Sequence, residues 1–202
     1  MKKKSHAWEF FQILQKVKIS KLRESLQNIQ LMEHSLKLTA KDITLIGLMV
    51  AIIEVCKVIM KDLPNIELTT FWIIMFTLFF GKKIFCVIPV FILIEGAIYG
   101  IGPWWIMYLY AWPLLAIVTL MLRKMKGAWE WAMISGIFGL SFGALCAIPY
   151  IVTSGIYGAF AYWVAGIPFD LIHGIANFLI MLVLYTPLNT VMSKMSKDEM
   201  YT

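Results

Sequence analysis

Six apolar runs, near 42–60, 68–81, 84–100, 103–122, 129–152 and 163–187, occupy most of this 202-residue chain and are parted by short polar stretches. Crossing the hydrocarbon core of a bilayer takes about 20 apolar residues, fewer where the bilayer thins or flanking side chains snorkel. Runs of this length and spacing predict an all-α integral membrane protein with six transmembrane helices. Composition points the same way: 60% of residues are hydrophobic and 15% charged, against about 45–50% and 25% in soluble domains. The second run is the shortest. Gly81-Lys82-Lys83 follows it, so it is expected to form a hairpin with the third run or to be partly re-entrant.

Lys and Arg are retained on the cytoplasmic side of a membrane, and their placement sets topology. Nine lie before the first run, from Lys2 to Lys41. Crossing at every run then puts Lys82 and Lys83, Arg123, Lys124 and Lys126, and finally Lys194 and Lys197 on that same side. The alternate connections, 61–67, 100–103 and 153–166, are nearly bare of positive charge, and the last has no charge at all. Both termini are therefore expected in the cytoplasm. The formal net charge of +6 follows from topology and contact with anionic lipid, and nucleic acid is not an expected partner.

Three regions are expected: a basic amphipathic segment over 1–40, a six-helix membrane domain over 41–190, and a cytoplasmic tail over 191–202. In the first, Phe10, Leu14, Val17, Leu22, Leu26 and Ile29 recur at helical spacing among basic residues, the pattern of a helix lying in the headgroup plane or on a partner. The first long apolar run begins only after residue 41 and lacks a small-residue cleavage pattern, so it reads as a span and not as a removed leader. Cys56, Cys86 and Cys146 are isolated within runs, and no Cys/His cluster suits a metal. No phosphate loop is present, and no cofactor or catalytic residue is assigned.

Ionisable side chains inside a span are costly and mark function by default. Here they are Glu54 and Lys57 in the first run, Glu95 in the third, and Asp170 and His173 in the sixth. Glu54 and Lys57 read either as part of a site or as a local pair with Lys57 snorkelling outward. Glu95 precedes Tyr99, Trp104, Trp105 and Tyr108, a carboxylate beside an aromatic cluster near the outer opening, which suits a small-molecule site. Asp170, His173 and Asn177 fall at i, i+3 and i+7 and share one helical face. That face offers donors, acceptors and a titratable ring to a ligand, or else forms a polar packing seam with Asp170 capping the helix start after Pro168. Asn65, Glu67, Tyr157 and Trp163 complete the expected outer site, although many outer aromatics belong to the interfacial belt. Gly47 and Ala51 form a small-xxx-small pair that lets another helix approach closely.

With Leu38-Thr39-Ala40-Lys41-Asp42 entering the first helix, the loop Leu63-Pro64-Asn65-Ile66-Glu67-Leu68, and above all the block from Gly166-Ile167-Pro168-Phe169-Asp170 through His173 and Asn177 to Tyr185-Thr186-Pro187-Leu188, the region 40–188 resembles the substrate-binding S component of an energy-coupling factor (ECF) vitamin transporter. The resemblance implies a multi-pass protein of a bacterial plasma membrane that captures a vitamin-like small molecule from outside. It implies docking on a membrane coupling subunit driven by two ATPase subunits, with Gly47 and Ala51 at that contact. It also implies that the loaded protein tips over in the membrane, and the 153–166 stretch, with Gly155, Gly158 and Gly166 as pivots, suits a lid. The long N-terminal segment departs from the family's short leader.

Other classes fit less well. An intramembrane enzyme using Asp170 and His173 as metal ligands or acid/base pair lacks a third metal ligand, a scaffold protein with the basic N-terminal helix as its working part would retain no small ligand on purification, and a self-sufficient carrier would show inverted repeats. Corrinoid-like and riboflavin-like ring compounds are the expected ligands.

Overall fold

A computed structural model describes Lys18 and residues 38–198, with side chains as far as Lys194. The amphipathic segment expected over 1–40 lies almost wholly outside the described residues. The chain divides into the units Met1–Ile43 and Thr44–Thr202. Of the first, the described part is chiefly the start of helix α1 (Ala40–Met60). That start is fixed locally: Asp42 N–H donates to Thr39 Oγ1 at 3.2 Å, and Thr39 N–H donates to Asp42 Oδ2 at 3.0 Å. This reciprocal pair satisfies main-chain donors that the first helical turn leaves open.

In the second unit, α2 (Thr69–Phe80) is followed by a single 3-10 turn, Gly81–Lys83, and then by α3 (Ile84–Tyr99), α4 (Pro103–Met121) and α5 (Ala128–Asp198). Among the described residues, four apolar helical stretches are long enough to cross a membrane: Ala40–Met60, Thr69–Tyr99, Pro103–Met121 and Ala128–Lys194. Two of the four double back.

The first reversal is at Gly81, φ 57° and ψ −129°, a backbone conformation that side chains with a Cβ disfavour. Glu67, just before α2, and Glu95, near the end of α3, both act on Tyr108 of α4, so α2 and α3 run in opposite directions. The short second run is thus one leg of a hairpin.

The second reversal is at Gly155, φ 70° and ψ 175°, a region open essentially to glycine alone. On either side of it Tyr150 stacks on Tyr162 with ring centroids 4.2 Å apart, and Gly143, Gly139 and Gly136 face Asp170, Gly174 and Phe178. The arms 128–154 and 156–198 are therefore antiparallel partners. This corrects the expectation of a loop over 153–166, because every residue there except Gly155 is helical. Alanines 159, 161 and 165 favour helix, and an apolar segment with no polar partners closes its own backbone hydrogen bonds best that way. Gly158 and Gly166 are helix residues. The tail expected over 191–202 likewise continues α5 as far as Asp198.

The α5 arms differ in length. Tyr185 lies beside Trp131, near the start of the first arm, so from 186 onward the second arm runs past it by about 18 Å at 1.5 Å per residue.

The core is centred on α2, where Phe71, Ile73, Ile74, Met75 and Phe76 are all buried. Two of the threonines at this depth bond within their own helix: Thr77 Oγ1 donates to Ile73 O at 2.6 Å and Thr119 Oγ1 to Leu115 O at 2.8 Å, which removes a desolvation penalty. The outward rows are apolar as well, with Leu93, Ile98, Ile117, Met121, Ile175 and Val183 exposed. Water would not tolerate so much apolar surface on one molecule; a membrane-embedded protein presents it to lipid.

Candidate functional site

The site begins with the connection between α1 and α2. Pro64 and Asn65 turn the chain, Asn65 at φ 61°, a conformation that Asn adopts more readily than other non-glycine residues. Leu63 N–H donates to Met60 O at 2.9 Å and Ile66 N–H to Leu63 O at 3.2 Å. The turn delivers Glu67 to the head of α2, where its carboxylate accepts the N–H of Thr69 and, at 3.1 Å, that of Thr70. The free N–H groups and the positive end of the helix dipole stabilise an anion there.

His173, on the second arm of α5, brings its Nε2 to 3.4 Å from Glu67 Oε1 and its ring to 4.7 Å from that of Phe142. One turn further on, buried Asn177 donates to Thr70 Oγ1 at 3.3 Å. Two residues of the expected polar face thus tie the second arm to the head of α2. Burial alone would raise the Glu67 carboxyl, but His173 and the donors of Thr70 and Thr69 outweigh it and hold the group down at about 2.

Above this junction lies a cavity of about 260 Å³. The Leu63–Glu67 turn forms one wall, Tyr108, Trp112 and Phe142 form an aromatic wall, and Lys57, Lys61, Thr69 and His173 complete the lining. Of the expected site residues, Asn65, Glu67, Tyr108 and His173 meet here.

Beside the cavity is a second polar cluster. Lys57 forms an ion pair with buried Glu95, and its Nζ lies 3.5 Å from Tyr108 Oη. The same ammonium lies 5.4, 5.9 and 5.4 Å from the ring centres of Phe91, Tyr99 and Tyr108, within cation–π reach of each. Glu54 acts on both Glu95 and Lys57. The local Glu54–Lys57 pair is therefore corrected: Lys57 turns inward, because a buried Glu95 one helix away offers a stronger partner than a neighbour on its own helix.

The remaining expected residues sit elsewhere. Trp104 packs edge-on against Tyr108, rings 5.3 Å apart, behind the aromatic wall. Trp105 donates its indole N–H to Ile92 O at 2.8 Å and fills the space over Gly96, which fastens α4 to α3. Asp170 does not cap a helix start, since it lies well inside the second arm; its Oδ1 accepts Gly143 N–H at 2.8 Å. Tyr99 is largely exposed, with Lys57 near its ring. Tyr157, 89% exposed, stands at the tip beside Gly155, and Trp163 lines a separate apolar hollow of about 210 Å³ with Ala147, Ile151 and Ala159. Gly47 and Ala51 are exposed on α1, and nothing lies within 4 Å of where a Gly47 Cβ would be.

Thr69, Thr70, Trp112 and Phe142 were not among the expected site residues, and Lys57 was open between a site role and a local pair. The Glu67-Leu68-Thr69-Thr70 sequence carries a helix-start signal that could have indicated the Thr pair. Trp112 and Phe142 lie inside apolar runs where nothing local separates a wall residue from a core residue. Comparison with protein-family models, curated proteins and solved structures finds no match.

Proposed function

We propose that this protein is the substrate-binding S component of an ECF-type vitamin importer, capturing a ring-containing micronutrient on the outer side and passing it to an ATP-driven coupling module. The observation that carries the proposal is the cavity: Asn65, Glu67, Tyr108 and His173, chosen from sequence as ligand residues, share one lining with the rings of Trp112 and Phe142. Small-molecule sites have this make-up, an apolar hollow with a few convergent polar groups. The unpartnered small-residue face of α1 at Gly47 and Ala51 supports the coupling contact. With the basic connections held inside, six crossings place the cavity toward the outer leaflet.

At about 260 Å³ the cavity falls just below the usual range of roughly 300–1,000 Å³ for small-molecule sites. A compound of one to three fused rings suits it, and a corrinoid macrocycle does not. Native mass spectrometry of the detergent-purified protein is the test. A vitamin-sized mass is expected on the wild type and absent from Tyr108→Ala. A wild type that is empty and also ignores a panel of vitamins would overturn the reading.

A further inference from the structure

Resting on the capture reading, we propose that the cargo carries a positively charged flat ring, and that the Lys57 ammonium is a tethered stand-in for that charge. Lys57 lines the cavity, and its head group occupies a cage made by the Glu95 carboxylate and the rings of Phe91, Tyr99 and Tyr108. Carboxylate plus converging ring faces is the recognition chemistry of organic cations.

The groups around the ammonium favour a cation over an anion. Glu95 pairs with it, and Glu54, hydrogen-bonded to Glu95, adds a second carboxyl group beside it. Glu67, a third carboxylate nearby, acts on Tyr108 together with the other two. The immediate surroundings of the ammonium are thus carboxyl oxygens and ring faces, where an incoming anion would be repelled and poorly solvated. Lys57 is in the last turn of α1, and its four-carbon stem lets the head group swing toward the water-facing end of the helix as the cargo enters. The incoming ring then lies against Tyr108 and Phe91, with its charge toward Glu95.

The test uses the full chain in detergent and two probes of one outline: 1-methylnicotinamide, a flat cation, and 3-methylbenzamide, in which carbon replaces the charged ring nitrogen. Wild type is expected to bind the cation at least about tenfold tighter than the neutral probe. Lys57→Met, which removes the resident ammonium, is expected to tighten the cation about tenfold further and leave the neutral probe unmoved, whereas Glu95→Gln abolishes the preference. Should Lys57→Met fold poorly, Lys57→Gln keeps a donor for Glu95 and serves the same comparison. Equal binding of the two probes, no binding of the cation, or weaker cation binding in the Lys57 variants overturns the inference. A co-purified uncharged vitamin would overturn it too and leave the capture reading intact, whereas an empty protein that ignores the vitamin panel removes the reading beneath it.

Discussion

At the residue scale, Glu67 does two jobs through one carboxylate. Its carboxylate caps α2 and faces His173, and its pKa of about 2 lies below the ordinary value of 4.5. A carboxyl depressed by folding contributes stability that is complete above the unfolded pKa and is lost as pH falls through the folded one, here between 4.5 and about 2. Glu67→Gln is expected to cost about 1–2 kcal/mol at neutral pH and to flatten the acid limb of the melting profile within that window. A variant that keeps the wild-type acid limb would show that Glu67 is not the group being titrated. Glu67 and His173 were legible in the sequence because polar residues inside or at the ends of apolar runs are few. The Lys57–Glu95 pair was not, because 38 residues separate the partners and helical periodicity relates only residues on one helix.

At the scale of elements, the α5 arms touch through glycine. A Cβ on Gly139 would stand 2.8 Å from Gly174 Cα and 2.9 Å from His173 O, both main chain, whereas one on Gly143 would meet the Asp170 carboxyl. Backbone cannot step aside as a side chain can, so Gly139→Ala is expected to destabilise the protein by about 2–3 kcal/mol and to exceed Gly143→Ala in thermal melts. Asp170→Ala should rescue Gly143→Ala in part and leave Gly139→Ala unrelieved. Gly155→Ala meets no atom within 4 Å, and its expected cost of about 1–3 kcal/mol is backbone strain alone. The Gly81 reversal could be read from glycine and two lysines ending an apolar run. The Gly155 reversal was read too broadly, since the neighbouring glycines and Thr153-Ser154 look like a loop, while the alanines between them prefer helix once lipid or protein surrounds them.

At the scale of the whole molecule, the sequence alone was enough to read a helical protein whose outward surface is apolar, because Ile98, Ile117, Met121 and Val183 have no place in water. What it could not give was the cavity. Its walls come from α1, the 61–68 connection, the head of α2, α4 and both arms of α5, and only tertiary packing brings those together. The proposed coupling contact belongs to this scale as well. Gly47→Leu has open space around it, so it is expected to leave melting temperature and ligand retention unchanged while lowering co-purification with a coupling subunit by about tenfold, the order of 1.4 kcal/mol of lost contact. Unchanged co-purification would place the contact on another face.

The uneven arms of α5 make the second one a lever. The main-chain contact of Gly139 with Gly174 acts as its fulcrum, one residue from His173 and so next to the cavity. From Gly174 the rod runs 24 residues to Asp198, about 36 Å, and the last half of that length has outrun its partner arm. Pivoting the rod by about 5° at the fulcrum carries its far end about 3 Å. Any tilt of the second arm about that close contact is therefore larger at its free end than beside the cavity, where His173 and Asn177 hold it to the head of α2.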